Sequence, residues 1–108
     1  MKTKQEQIEE ILRGFNFHAV HKAMQALDWR WALPSRIPTI VELKKTAKSL
    51  LTRCYTKALK NNESFLSTGG FQITAKYDKT ENTMLLGLRF VVENNNMLAY
   101  IDNKGKTK

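Results

Sequence analysis

Apolar positions recur every three or four residues in the first part of the chain and every second residue in the last part, so helices come first and strands after. Ile8, Ile11 and Leu12 fall on one side of a short helix that Thr3 and Glu6 open as a capping box. Gly14 suits the left-handed position that ends such a helix. Asn16 is then the next N-cap, with Phe15 and Val20 placed as a hydrophobic staple, and Phe17, Val20, Met24 and Leu27 follow at helical spacing. After Asp28 the segment Trp29-Arg30-Trp31 marks a change of structure. If extended, it points both tryptophans one way and Arg30 the other. Pro34 and Pro38 bracket a turn. Thr39 and Glu42 make a second capping box and open the longest helix. Its apolar stripe is Leu43, Ala47, Leu50, Leu51, Cys54, Ala58 and Leu59, and Asn61 and Asn62 terminate it.

Beyond that point the period is two. Phe71, Ile73, Ala75 and Tyr77 alternate with Gln72, Thr74, Lys76 and Asp78, and the polar stretch Asp78 to Asn82 reads as a turn. Met84, Leu86, Leu88, Phe90 and Val92 face one way, while Leu85, Gly87, Arg89, Val91 and Glu93 face the other. Asn94-Asn95-Asn96 is a further turn signal and Met97 to Ile101 a third strand. Ser67-Thr68-Gly69-Gly70 reads as a glycine-rich lead-in to the first strand, with an anion-binding nest of backbone N–H groups as the functional alternative. The order predicts an α+β fold, with N-terminal helices and one long helix packed on an antiparallel β-meander. Residues 1–103 are expected to form one domain and 104–108 a disordered basic tail.

Composition narrows the class. The 108 residues carry 18 Lys and Arg against 10 Asp and Glu, a net charge of +8, which favours anionic partners by long-range attraction. One cysteine, Cys54, forms no internal disulfide and suits a reducing compartment. No apolar run is long enough to span a bilayer, and Met1 to Glu6 lacks the apolar stretch of a secretory signal. The expectation is an intracellular protein with no membrane partner.

Candidate chemistry is sparse. His18 and His21 share a helix side at a spacing of three, but a metal needs three or four ligands and no third is placed nearby. Cys54 falls in an apolar stripe, where a thiol packs as a small hydrophobe. The glutamates do not cluster for acid–base work, and neither a phosphate loop nor a dinucleotide fingerprint is present. No catalytic site, cofactor or metal is expected. Trp29 and Trp31 suit packing, or stacking on a base. Arg89 is the sharper candidate, because its charge stands beside the side-chain-free Gly87 on the outer strand face, with Gln72, Thr74 and Lys76 on the same side of the partner strand. A ligand or a second subunit could cover that face.

The string Phe17-His18-Ala19-Val20-His21-Lys22-Ala23-Met24, Leu27-Asp28-Trp29-Arg30-Trp31, Pro38-Thr39, Leu43, Ala47, Leu50-Leu51, Ser67-Thr68-Gly69-Gly70-Phe71 and Leu86-Gly87-Leu88-Arg89-Phe90-Val91-Val92-Glu93 resembles a group of small bacteriophage-encoded proteins. Within that group the chain is similar to the Thoeris anti-defence sponges, which bind and sequester cyclic ADP-ribose-type immune signals without cleaving them. Some members also take up cyclic oligonucleotides and assemble into oligomers. The resemblance implies a non-enzymatic, homo-oligomeric protein of the host cytoplasm whose partner is a cyclic nucleotide signal. Family pockets set an aromatic ring on the base and arginines on the phosphates. By resemblance Phe71 and Arg89 take those roles, with Arg30 and Trp31 as further candidates, while the segment after Glu93 departs from the pattern. Two alternatives come from the residues themselves. One is a nucleic-acid-binding accessory protein using Lys44, Lys45, Lys48, Arg53, Lys57 and Lys60 of the long helix. The other is a direct inhibitor of a host protein anchored by Trp29 and Trp31.

Overall fold

Two capping boxes set where helices begin in the computed structural model, which describes residues 3–31, 36–94 and 97–102. Thr3 Oγ1 accepts from the Glu6 N–H at 3.1 Å while Glu6 Oε1 accepts from the Thr3 N–H at 2.9 Å, opening helix α1 (Lys4–Gly14). The same reciprocal pair at Thr39 and Glu42 opens α3 (Ile40–Asn61). Between them Asn16 caps α2 (Phe17–Leu27) by accepting from the Ala19 N–H, and the staple residues Phe15 and Val20 are both buried.

Three local readings need correction. Gly14 is helical and does not adopt a left-handed φ. The chain passes through an extended Phe15 straight into the Asn16 cap, so no reversal is required there. The left-handed caps are Asp28 (φ 50°) and Asn62 (φ 73°). Leu59 is exposed, and Tyr55 takes its place in the α3 stripe, because Tyr55 lies four residues after Leu51 and three before Ala58 on the buried face. Finally, Glu63–Thr68 is a strand, β1, and not a lead-in. Pro34, Asn95-Asn96 and the 104–108 tail lie outside the described residues.

β1 pairs antiparallel with β2 (Phe71–Asp78), which pairs with β3 (Thr83–Asn94), which pairs with β4 (Met97–Asp102), giving a four-stranded meander. Gly69 and Gly70 both have positive φ (60° and 94°), the signature of a type I′ two-residue hairpin turn, and Thr68 pairs directly with Phe71. All three helices pack on one face of the sheet: α3 covers mainly β1 and β2, and α1 and α2 reach β3, with α2 extending to β4. The fold is α+β, as the order of periods predicts.

The core fills the space between these layers. Phe71, Phe90, Met24, Leu43, Leu51 and Ile73 are fully buried. Phe15, Phe17, Phe71 and Phe90 form an aromatic cluster, with edge contacts between Phe15 and Phe17 and between Phe71 and Phe90 (rings 5.4 Å apart), and Trp29 adds an edge contact to Phe90. Cys54 is part of this core, its Sγ 3.7 Å from the Ile73 carbonyl. Burial pushes its pKa up, which opposes thiolate formation.

At the start of α3, Arg36 grips Glu42 through bonds of 2.8 and 2.6 Å. That bond, helped by the Thr39 N–H, lowers the Glu42 pKa from 4.5 to about 2. The folded carboxyl binds its proton less tightly than the unfolded one, so its contribution is present above pH 4.5 and is lost as pH falls toward about 2. Solvent screening keeps the effect modest. Thermal melts followed by circular dichroism should show Glu42→Gln less sensitive to acid than the parent across that window, and identical acid slopes would contradict the assignment.

Candidate functional site

With every helix on one side, the other sheet face carries no helix among the described residues. Alternation decides what stands on it. The register aligns Glu63, Lys76 and Leu85 in one row, Phe65, Thr74 and Gly87 in the next, and Ser67, Gln72 and Arg89 in a third. Residues directly opposite in antiparallel strands share a face, so these rows form one surface. Phe65, on the edge strand, is 56% exposed and Leu85 is 62%, so two large apolar side chains stand open on one sheet face. Between them lies an open groove of about 730 Å³ lined by Glu63, Phe65, Thr74, Lys76, Leu85 and Gly87.

Gly87 shapes the groove by what it lacks. Its φ is not left-handed, so backbone conformation does not demand glycine there. A Cβ at this position would lie 3.1 Å from Thr74 Oγ1 and would raise the floor between Phe65 and Leu85. One row along, Arg89 Nε donates to Gln72 Oε1 at 2.7 Å, which turns the guanidinium inward over β2. Phe65 and Arg89 are separated by two strand spacings of ~4.8 Å and one step of ~6.8 Å along the strand, so their Cα atoms stand roughly 12 Å apart. An aromatic ring, a basic group and a side-chain-free floor therefore share one accessible surface.

The structure brings together Gln72, Thr74, Lys76, Gly87 and Arg89 as the alternation predicts. It removes Phe71 from the site. That ring is fully buried on the opposite sheet face, packed by Phe15, Phe17 and Phe90, and has no open side for a base. Arg30 and Trp31 lie away from the groove. Arg30 pairs with Asp28 at 3.2 Å, and Trp31 Nε1 donates to the Gly69 carbonyl at 3.1 Å, bracing the β1–β2 turn. Trp29 and Trp31 are both half-buried against the core, which spends them on the fold and weakens their role as anchors for a host protein. Phe65 is the residue missed. The signal was in the turn: reading Gly69-Gly70 as a two-residue hairpin puts Phe65 opposite Thr74 and onto the outer face.

The remaining candidates do not assemble into a reactive centre. His18 is exposed and His21 half-buried, and among the described residues no group of three or more His, Cys, Asp or Glu converges on a point. No described helix is long and apolar enough to cross a membrane. The fold and site together define an α+β domain with helices on one face of an antiparallel meander and an accessible groove on the other. No protein-family model, curated protein or solved structure matches the chain.

Proposed function

We propose that this chain is a non-catalytic binding protein that holds a cyclic ADP-ribose-type or related cyclic nucleotide signal on its outer sheet face, and so acts as a phage anti-defence sponge. The observation that carries the proposal is the exposed Phe65 beside the Gly87 floor with Arg89 one row away. An exposed ring offers a stacking platform to a base, and the always-charged Arg89 guanidinium, steered by its bond to Gln72, places positive charge where a phosphate would lie. Lys76 and Thr74 line the groove beside Phe65 and Gly87 and add a cation and a hydroxyl, while Arg89 stands one row beyond it. Sequestration asks only for affinity, so it requires neither an acid–base pair nor a metal. The proposal places the protein in the host cytoplasm and, as in the group it resembles, in a homo-oligomer.

Isothermal titration against cyclic ADP-ribose isomers, followed by heating to release the ligand, tests this reading. The expected result is saturable binding and chemically intact ligand in the supernatant. Phe65→Ala and Arg89→Ala should each weaken binding roughly tenfold or more, as ~1–3 kcal/mol of stacking or of a charged hydrogen bond implies. Absence of binding across the panel would end the proposal, and an altered ligand would mean an enzyme.

A further inference from the structure

Helix α3 carries a second surface of a different kind. From Leu43 to its end at Asn61 it contains six basic residues and no carboxylate, although the chain as a whole has 10. Its one acid, Glu42, stands at the N-terminal end and is held by Arg36. At 100° per residue, Lys45, Arg53, Lys57 and Lys60 fall within an arc of about 120° on the side away from the buried stripe. All four are exposed. Ser49 and Thr56 lie in the same arc, and Lys4 reaches across from α1 to donate to Thr56 Oγ1 at 3.2 Å, adding a fifth cation. Lys44 and Lys48 sit on the flank toward α1, where Lys48 meets Glu9 at 3.4 Å.

We infer that this face of α3 docks on the phosphate backbone of a nucleic-acid duplex without reading its sequence. The surface offers ammonium and guanidinium groups interleaved with hydroxyls, the side-chain chemistry that contacts phosphate oxygens. Its cations run from Lys45 to Lys60, ~22 Å along the helix at ~1.5 Å per residue, so the face can follow a run of phosphates. A single strand is the poorer fit. Binding unpaired bases calls for aromatic stacking platforms, and the only aromatic residue on α3, Tyr55, is buried in the core. The face is separate from the sheet groove, since α3 packs on the opposite side of the sheet.

The test is fluorescence anisotropy of the full chain with a labelled DNA duplex about two helical turns long and with a single strand of the same length. Duplex binding should be the tighter, and its logarithmic salt slope should be about −3 to −4, as three or four phosphate contacts at ~0.9 each require. Arg53→Glu with Lys57→Glu should weaken duplex binding at least about a hundredfold at low salt, through loss and reversal of two contacts. Lys22→Glu with Lys79→Glu makes the same change in net charge on exposed sites outside α3 and should weaken it by no more than about threefold. Circular dichroism confirms that both variants fold. Equal losses in the two double variants would reduce the effect to net charge and overturn the inference. So would tighter binding to the single strand, or no duplex binding at low salt. None of these outcomes touches the sheet-face ligand, which is read separately by calorimetry.

Discussion

Gly70→Ala destabilises the protein by about 3 kcal/mol, combining ~1–2 kcal/mol for forcing a Cβ into the left-handed region with ~1–3 kcal/mol for overpacking. The backbone φ there is +94°, and an added Cβ would lie 2.5 Å from Phe90 Cε1 and 2.9 Å from a Val92 methyl. Phe90 is fully buried against Phe71 and Trp29, so it has no room to retreat. The Gly70 carbonyl also accepts from the Val91 N–H at 2.8 Å, which ties the β1–β2 turn to β3. Thermal and denaturant melts should show the loss as a fall in midpoint of about 12 °C or more, at ~4 °C per kcal/mol. Gly69→Ala should be milder, because its φ of +60° lies nearer the left-handed well and its Cβ would meet the Trp31 indole at 2.9 Å rather than a fully buried ring at 2.5 Å. A loss at Gly70 below about 1 kcal/mol would show that the turn relaxes and that Phe90 is not fixed by its neighbours.

Phe71→Ala has an effect of similar or greater size, about 3–5 kcal/mol, the range for removing a large aromatic from a packed core. The ring is fully buried and touches Phe15, Phe17 and Phe90, so deletion opens a cavity that three neighbouring rings line. For a domain whose total stability is about 5–15 kcal/mol, the variant is close to unfolding. Phe71→Leu is the informative companion. It keeps most of the volume and should remain folded with ligand affinity unchanged, because the ring never reaches the groove. Loss of binding in a folded Phe71→Leu protein would return this residue to the site and contradict the burial argument.

Much of the fold was legible in particular residues. Thr3 with Glu6 and Thr39 with Glu42 announced two helix starts, and the alternation from Met84 to Val92 separated core from surface on β3. β1 was not legible, since Glu63-Ser64-Phe65-Leu66-Ser67-Thr68 has adjacent apolar residues and no clean period of two. As an edge strand it buries little, with Leu66 only half-buried and Phe65 turned to the outer face. The site was half legible for the same reason. Gly87, Arg89, Gln72, Thr74 and Lys76 follow from alternation on two strands, but the aromatic partner sits on the third. The resemblance gives that role to Phe71, yet its parity with Ile73 and Ala75 assigns it to the core.

The proposed function rests on an anionic nucleotide binding the outer sheet face between Phe65 and Arg89. Amide chemical-shift mapping of labelled protein during titration with cyclic ADP-ribose isomers tests it most directly. The largest changes should cluster at Phe65, Thr74, Gly87 and Arg89 and leave the α3 residues Lys45, Arg53 and Lys57 undisturbed. Shifts concentrated on α3, or binding that leaves the Phe65 and Gly87 amides unmoved, would contradict it.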